Sequence, residues 1–336
     1  MKKFACLPLL CILALGALTL TGCGEIKRGE YAKGPGTIYC DDGFKNILEE
    51  EIDVFEYQYP ESAIIPKYVS ESEAMEALIN DSTQTVIVSQ DLTKDQREYI
   101  KTTHKRIARS NCIAVDAVAL IVNKDNPLKD ISMEEIGKIL KGDIRYWSQL
   151  AAGDSTKIKL VFDNQGSSTV SYMKDKFLDG KNITDNPNVQ AYAQKNNQDV
   201  FNYILKDKYA IGIISVSWLG DTLQNAKHVP IEERVKKAED MNETVAKELT
   251  SEVTVLGVSN PTQENDFTLT PYKPYQAYIA TGEYPLFRKI YMITTASGST
   301  VMKSFYDFVT GTIGQKIMAN TGILPYHMNP RIIELK

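Results

Sequence analysis

The chain has 336 residues, of which 43% are hydrophobic and 24% charged, and 38 basic against 43 acidic side chains give a net charge of −5. This ordinary globular composition excludes a disordered tail, a collagen-like repeat and a polytopic membrane protein, and it suits roughly two domains of about 100–200 residues. A net negative chain disfavours nucleic acid as a partner, because phosphate backbones require a basic surface. The 3 histidines lie far apart in the sequence, which argues against a histidine-based metal or hydrolytic site.

The N-terminus resembles a bacterial lipoprotein signal. A basic start precedes the apolar run Leu7–Leu20, which is shorter than the about 20 residues that a membrane-spanning helix needs. The run ends in Leu20-Thr21-Gly22-Cys23, which is similar to the lipobox whose cysteine is lipidated and becomes the mature N-terminus. We therefore expect residues 1–22 to be a signal peptide and Cys23 to carry palmitate-type acyl chains, anchoring the protein in the cell envelope, facing the periplasm or cell exterior. An ordinary secretory signal with a chance cysteine is the alternative.

The segment after the lipobox predicts a tether. Residues 23–36 are rich in glycine and show no apolar period, which is typical of a flexible linker between lipid and domain. Of the five cysteines, only Cys40 and Cys112 remain once the signal and the lipidated position are set aside. In an oxidising compartment these two could pair, but two buried free thiols are the favoured interpretation.

From Thr37 onward, short apolar runs alternate with helical patterns, which predicts parallel sheets covered by helices on both faces. The segment Ile231–Thr250 is densely charged and predicts a solvated surface helix. In chain order the other predicted elements are strand Thr37–Cys40, helix Phe44–Tyr57, strand Ala63–Val69, helix Glu71–Asn80, strand Thr85–Ser89, helix Thr93–Thr103, strand Ile113–Val122, helix Ser132–Lys141, strand Lys157–Phe162, helix Thr169–Phe177, helix Val200–Leu205 and strand Ala210–Ser215.

Polar turns follow four of the predicted strands. In open α/β sheets, ligands bind outside the carboxyl ends of the strands, where a helix start offers free N–H groups and a positive dipole end. For any one of these turns helix capping is the favoured explanation, as in the S-x-x-E pattern that starts at Ser70. Three consecutive hydroxyls, Ser167 to Thr169, exceed what one cap requires, which favours a small-oxyanion site there. The four turns are Asp41–Lys45, Ser70–Glu73, Ser89–Asp91 and Asp163–Thr169.

Five segments, in order along nearly the whole mature chain, resemble motifs of the phosphate-binding lipoproteins that serve ABC importers. Each motif is weak alone, and their shared order carries the resemblance. The segments are Ala114–Trp147, similar to "N-x-x-N-P … I-x-x-I-x-x-G-x-x-x-x-W"; Gly166–Thr169, similar to the G-S-G-T loop; Ala210–Ile213, similar to the "IGY" strand; Tyr284–Arg288, similar to "YPL-x-R"; and Phe305–Pro325, similar to the closing helix and turn.

The resemblance implies an α/β, two-lobed periplasmic-binding-protein fold of type II. Each lobe is expected to be a mostly parallel sheet flanked by helices, joined to the other by a two-strand hinge near Ile113–Val122 and Arg288–Ile293. It implies a monomeric binder of inorganic phosphate that delivers its ligand to ABC permease subunits, with no catalysis, cofactor or metal. The expected divisions are lobe 1 at 37–115 and 292–336, and lobe 2 at 116–291 with a charged insertion around 231–250.

The resemblance also assigns the ligand-binding residues. It implies that Asp91 accepts the proton of hydrogen phosphate, which excludes sulfate because sulfate has no proton to offer. The chain departs from the family at Asp163, which stands where an arginine normally grips the anion; Lys45 is the candidate replacement for the lost charge. The full set is Asp42, Gly43, Phe44, Lys45, Ser70, Asp91, Ser167, Ser168 and Thr169.

Two other functions stay open at this point. The acidic Asp163 allows a degenerate family member that binds another small polar ligand or serves as a surface or signalling protein. A hydrolase with Ser167 or Ser168 as nucleophile is disfavoured, because the sequence has no G-x-S-x-G elbow or P-loop.

Overall fold

The computed structural model describes residues 32–150, 155–220, 229–240, 248–260, 270–298 and 300–327. The expected signal peptide, Cys23 and most of the expected tether lie outside the described residues, as does 241–247 of the charged segment.

The described elements follow the predicted alternation of strands and helices. The strands are β1 Gly34–Asp41, β2 Ser62–Val69, β3 Thr85–Val88, β4 Arg109–Val122, β5 Asp130–Ser132, β6 Lys159–Phe162, β7 Gln190–Ala193, β8 Ala210–Ser215, β9 Thr254–Val255, β10 Gly257–Ser259, β11 Phe287–Thr294 and β12 Leu324–Pro325. The helices are α1 Lys45–Gln58, α2 Glu71–Ile79, α3 Lys94–His104, α4 Met133–Leu140, α5 Ser168–Phe177, α6 Asn197–Lys206, α7 Ile231–Glu239, α8 Gln276–Ala280, α9 Val301–Val309 and α10 Thr312–Asn320.

One sheet runs through both lobes in the order β2-β1-β3-β11-β4-β8-β6-β7, and β9 and β12 also pair with β4. The β1, β2 and β3 strands are parallel to one another, as are β6, β7 and β8. By contrast, β4 runs antiparallel to both β11 and β8. The result is two mostly parallel half-sheets that share one long antiparallel strand, as a two-lobed type II binding-protein fold requires.

The strand β4 is the main connection between the lobes. Its first part pairs with β11, with Asp116 opposite Arg288, and its second part pairs with β8, starting with Val118 opposite Ser215. A second crossing lies beside it, because Val118 N–H donates to the Leu286 carbonyl at 2.8 Å just before β11 begins. The two-strand hinge expected from the resemblance is therefore present.

Each lobe has its own apolar core. In the first lobe, the buried face of α1 presents Leu48 and Phe55, and Phe55 meets the ring of Phe305 at 5.1 Å between centroids. In the second lobe, Trp147 and Phe162 belong to a separate cluster of buried residues. Burial of one such side chain contributes about 1.5–3 kcal/mol, so each lobe holds its half-sheet in place from its own side.

The tether expected to extend to Gly36 ends earlier. Gly34 to Gly36 belong to β1 and pair in register with β2, so the sheet begins before the last glycine of the linker-like segment. A Cβ on residue 36 would overlap the side chain of Met302, so the glycine lets α9 pack directly onto the strand. Gly36 therefore reflects close packing, and Gly34 a left-handed backbone with φ +83°, rather than chain flexibility.

The charged segment is also packed more tightly than expected. Its described helix, α7, buries Val235 and Ala238 against Val54 and Ile317 of the first lobe. On the same side, Arg234 forms ion pairs with α1, to Glu50 at 3.1 Å and to Asp53 at 2.7 Å. The helix lies at the surface as expected, with its charged face exposed, but its apolar face is packed on the first lobe and not solvated. Among the described helices, none has both the length and the apolar character that crossing a bilayer requires.

Candidate functional site

The turn after β1 lies where the two lobes meet. β1 ends at Asp41, and one 3-10 turn, Asp42–Phe44, leads directly into α1. The Asp41 carboxylate folds back over this turn and accepts the backbone N–H of Gly43 at 2.9 Å. A Cβ on residue 43 would lie 2.8 Å from the same carboxylate oxygen, so glycine makes this close approach possible.

The Asp41 carboxylate also binds the start of α5 in the second lobe. Its Oδ2 accepts the backbone N–H of Ser168 at 3.0 Å, and its Oδ1 accepts the Ser168 hydroxyl at 2.7 Å. Ser167 is the N-cap of α5, so the Ser168 N–H is a first-turn donor without a partner inside the helix, at the positive end of the helix dipole. Asp41 and Ser168 are both fully buried. The donors at the start of α5 thus hold a carboxylate from the chain itself.

Two further hydrogen bonds join the same turn to the second lobe. Asp42 Oδ2 accepts the backbone N–H of Asn197 at 3.2 Å, and the Gly43 carbonyl accepts the Ser217 hydroxyl at 2.9 Å. Burial raises the pKa of the Asp42 carboxyl, and the bonds from Asn197 oppose that rise. Residues 41 to 43 therefore contact α5, the start of α6 and the turn after β8 together.

We call the contact between residues 41–43 and the second lobe the junction. Asp163 lies next to it. Its Oδ1 accepts the hydroxyl of Ser167, and its Oδ2 accepts the Asn197 side-chain amide at 3.0 Å. Burial, and then the nearby Asp41 charge, raise the pKa of the Asp163 carboxyl to about 7, against the smaller stabilising effect of the Ser167 bond. The residue that departs from the family pattern therefore turns toward Ser167 and Asn197 and orients both.

A buried ion pair lies in the hinge. Arg288 donates from Nε at 3.0 Å and from Nη2 at 2.9 Å to Asp116, whose oxygens also accept the Ser215 hydroxyl at 3.0 Å. The guanidinium lies 5.0 Å from the centroid of the Phe44 ring, so Phe44 forms one wall of its pocket. Burial raises the pKa of the Asp116 carboxyl, with Arg288 opposing it. The Nη1 of Arg288 has no hydrogen-bond partner among the described residues.

The buried acid Glu71 binds the turn after β3. Glu71 Oε1 accepts the Ser89 N–H at 2.5 Å, the Ser89 hydroxyl at 2.8 Å and the Gln90 N–H at 3.0 Å. Burial and then Asp41 raise the pKa of the Glu71 carboxyl, while Ser89 and Arg288 lower it. The buried or largely buried carboxyl groups near the junction are Asp41, Asp42, Glu71, Asp116 and Asp163.

A solvent-open cavity of about 330 Å³ lies between the lobes beside this network. Ser89 and Gln90 line it from the first lobe, and Arg288 lines it from the hinge. Helix α5 forms the remaining wall with Tyr172, Asp175 and Lys176, so this wall carries one acidic and one basic side chain. The cavity connects the hinge cation with the solvent.

Most of the predicted ligand residues come together at the junction. Ser70 caps α2 by accepting the Glu73 N–H at 3.2 Å, and it lies against Gly166 across the cleft. Thr169 is fully buried, and its hydroxyl has no partner among the described residues. The three hydroxyls of the loop thus have different partners. The Ser167 oxygen caps α5 and its hydroxyl donates to Asp163, whereas the Ser168 hydroxyl donates to Asp41. The Thr169 hydroxyl has no partner among the described residues.

Two predicted ligand residues lie apart from the junction. The Asp91 side chain is 39% exposed and accepts from Arg97 at 2.5 Å and from the Leu92 N–H at 2.7 Å. Lys45 points along α1 toward Glu49 at 3.7 Å and lies 5.2 Å from the ring centroid of Tyr68. In this structure, neither side chain is among the groups that meet Ser168.

Sequence reasoning missed four residues that carry the junction. Asp42 was assigned as a ligand residue and its neighbour Asp41 was not, although an acidic residue at the end of a buried strand is typical of a helix cap. Arg288 was quoted as part of a motif but not as a site residue. Asn197 and Ser217 carry no local signal, because their partners are 155 and 174 residues away in the chain. No group of three or more potential metal-ligating side chains occurs within the described ranges.

Comparison with known proteins now identifies the family. Residues 32–312 match the PBP superfamily domain, which is most of the chain. The chain belongs to the PBP superfamily. Solute-binding proteins of this kind are non-enzymatic components of transport systems, so the hydrolase alternative is wrong.

Relatives of this PBP-superfamily chain include two proteins named phosphate-binding protein PstS. The one from Bacillus subtilis is 26% identical over 214 residues, which cover 63% of this chain but only 56% of the relative. The one from Borreliella burgdorferi is 23% identical over 259 residues and covers 75% of this chain and 76% of the relative.

Solved structures show the same fold. A putative phosphate ABC transporter substrate-binding protein from Clostridium perfringens, with bound phosphate, superimposes with a TM-score of 0.64 at 19% identity over 87% of this chain and 99% of that one. An ABC-type phosphate transport receptor from Vibrio cholerae gives a TM-score of 0.58 at 18% identity, covering 87% of this chain and all of that one, 100%. The type II fold expected from the sequence is confirmed.

Proposed function

We propose that the chain is a lipid-anchored, extracytoplasmic solute-binding protein that captures inorganic phosphate between its lobes and delivers it to an ABC permease. The observation that carries the proposal is the carboxylate held by Ser168. A backbone N–H and a hydroxyl at the start of α5 bind two oxygens of an oxyanion at the place where the lobes meet. A phosphate oxygen fits the same donors, because charge-assisted bonds to a helix N-terminus do not depend on the rest of the anion.

The comparisons support phosphate as that anion. Both relatives are named phosphate-binding proteins, and the Clostridium structure of the same fold contains phosphate. Donors without a hydrogen-bond partner among the described residues near the junction include the Thr169 hydroxyl, the Tyr172 hydroxyl and the Arg288 Nη1. Arg288 is the cation best placed to take the role of the missing family arginine, since Lys45 turns toward Glu49.

The proposed ligand set keeps the residues carried over by the resemblance except Lys45, which turns toward Glu49. Gly43, Phe44 and Ser70 would contribute from the first lobe, and Ser167, Ser168 and Thr169 from the second. Asp91 joins this set only when its ion pair with Arg97 breaks, and Asp42 only when it leaves Asn197.

Calorimetric titration with phosphate tests the ligand, with sulfate as the control anion. We expect one phosphate per chain, no heat from sulfate, and loss of most phosphate affinity in Ser168→Ala. Ser171→Ala, one turn further along α5, is the matched control and should bind like the wild type. Absence of phosphate binding in both the wild type and an Asp41→Ala variant would overturn the proposed ligand.

The anchor and the delivery step need separate experiments. In cells fed labelled palmitate, the wild type should incorporate label and a Cys23→Ala variant should not. Deletion of the gene should reduce phosphate uptake, and the wild-type gene should restore it through an ABC permease. Equal labelling of both forms would contradict lipidation, and unchanged uptake would contradict delivery.

A second function is favoured by one specific observation, the surplus of buried carboxyl groups at the junction. Four buried carboxyl groups (Asp41, Glu71, Asp116 and Asp163) and the half-buried Asp42 lie near the junction, against the single buried cation Arg288 in the described part of the cleft. Such a site repels a dianion and suits a degenerate family member that binds another small polar ligand or acts as a surface protein. Phosphate binding that appears only in Asp163→Arg would support this function over phosphate capture.

A further inference from the structure

Asp41 makes the contacts that an oxyanion ligand would make. Its two carboxylate oxygens take the N–H and the hydroxyl of Ser168 at 3.0 and 2.7 Å, and one of them also takes the Gly43 N–H at 2.9 Å. Three donors from both lobes therefore converge on one carboxylate. The side chain is fully buried, so no room is left beside it for a second anion at these donors.

We propose that Asp41 is a built-in occupant of the oxyanion site, which links the lobes itself and must leave before a solute anion can bind Ser168. The proposal rests on the proposed solute capture, because it names the residue that controls access to that same site. An acidic side chain at this place acts as a competing ligand held at high effective concentration by its own strand.

Electrostatics add to the competition. A phosphate placed at Ser168 would lie against the Asp41 carboxylate oxygens within the same buried pocket, with the Asp163 carboxyl close by. Asp41 therefore lowers phosphate affinity in two ways, by using the donors and by repelling the anion. Removing its carboxylate should increase phosphate affinity by about 10- to 100-fold, since bonds to a charged group are individually worth that range.

The test separates closure of the lobes from phosphate binding. Small-angle X-ray scattering without added phosphate reports closure through the radius of gyration. We expect the wild type to be compact and Asp41→Ala to be more extended, because the main bond between turn 41–43 and α5 is gone. Calorimetry with phosphate should then show tighter binding by Asp41→Ala.

A second variant, Ser168→Pro, breaks the same contact independently, so the test does not depend on correct folding of Asp41→Ala alone. Ser168→Pro removes the N–H and the hydroxyl together, at a first-turn position where proline is well tolerated. The preceding residue, Ser167, already has φ −70° and ψ 156°, which suits a residue before proline. Ser168→Pro should open the lobes like Asp41→Ala, but it should lose phosphate binding rather than gain it.

Asp163→Asn is the control for charge alone. It removes a neighbouring negative charge but leaves Asp41 on Ser168, so it should stay compact and raise phosphate affinity less than Asp41→Ala. Equal radii of gyration for the wild type, Asp41→Ala and Ser168→Pro would overturn the proposal, as would equal gains from Asp163→Asn and Asp41→Ala. If the two opening variants expand but Asp41→Ala binds no phosphate, the inference about Asp41 stands and the proposed phosphate function fails.

Discussion

Arg288 and Asp116 lie directly opposite each other on β11 and β4, and two guanidinium nitrogens of Arg288 donate to the same Asp116 oxygen. The pair sits where the half-sheets meet, and its side chains are only 3% and 0% exposed. Removing one partner leaves an uncompensated buried charge, which costs about 3–5 kcal/mol. We therefore expect Asp116→Asn to lower the free energy of unfolding by this amount in urea denaturation.

A surface pair provides the control for that experiment. Asp91 and Arg97 are also in contact, but their side chains are 39% and 34% exposed. Asp91→Asn should cost less than about 1 kcal/mol, because water and salt screen exposed pairs. Equal losses in Asp116→Asn and Asp91→Asn would contradict the structural role of the hinge pair.

Glu51 is expected to destabilise the first lobe at neutral pH. It lies on the buried face of α1, neither carboxyl oxygen has a partner among the described residues, and burial raises the pKa of the carboxyl well above its usual value. Because the folded state holds the proton more tightly, stability falls as pH rises above about 4.5. Glu51→Met should therefore raise the free energy of unfolding by about 1–3 kcal/mol at pH 7, and less at pH 4.

The exposed Glu76 on α2 is the matched control for Glu51. Glu76→Met should change stability by no more than about 0.5 kcal/mol at either pH. A loss of stability in Glu51→Met at pH 7 would show that the carboxyl has a stabilising partner.

Asp163 should make stability depend on pH near neutrality. Burial and the Asp41 charge raise the pKa of its carboxyl to about 7, with Asp42 adding to the rise while Ser167 and Arg288 oppose it. The folded state therefore binds this proton more tightly than the unfolded chain, so the stability contribution is lost as pH increases from about 4 to about 7. Asp163→Asn should remove that loss, gaining at most about 4 kcal/mol above pH 7.

Thermal unfolding at pH 5 and pH 8 measures the effect of Asp163→Asn. Asparagine can keep both neighbours, because the Ser167 hydroxyl can accept as well as donate. The variant should have a higher melting temperature than the wild type at pH 8 and a clearly smaller gain at pH 5, where only about a third of the loss has occurred. An equal shift at both pH values would assign the gain to packing instead of titration.

Both cysteines of the described residues are free thiols, and they differ in access. Cys40 is fully buried in β1, whereas Cys112 is half-buried, and burial raises the pKa of the Cys112 thiol to about 11. We expect slow alkylation of Cys112 in the folded protein and alkylation of Cys40 only after unfolding. Mass spectrometry without reductant should find both thiols modified after denaturation; a disulfide between them would contradict the structure.

The sequence predicted the order of strands and helices well, because apolar spacing and capping residues are local signals. Ser70 was recognised as a possible cap and is one, whereas Ser167, the cap of α5, was not singled out as a cap. The junction was less predictable. Asp41 differs from Asp42 only in the direction of its side chain, and its partner Ser168 lies 127 residues away in the chain. Likewise, Gly36 suggested flexibility until its contact with Met302 placed it in a packed strand.

The sharing of β4 by both half-sheets has a consequence for how the protein denatures. The strand donates and accepts ladder bonds with β11 in one lobe and with β8 in the other, without a break in the chain between them. If either half-sheet unfolds, one end of β4 loses its partner strand, and the hydrogen bonds that β4 makes in the other half-sheet are weakened. The two lobes are therefore expected to unfold in a single cooperative transition, and amides on both sides of Ala117 should share one rate of global hydrogen exchange.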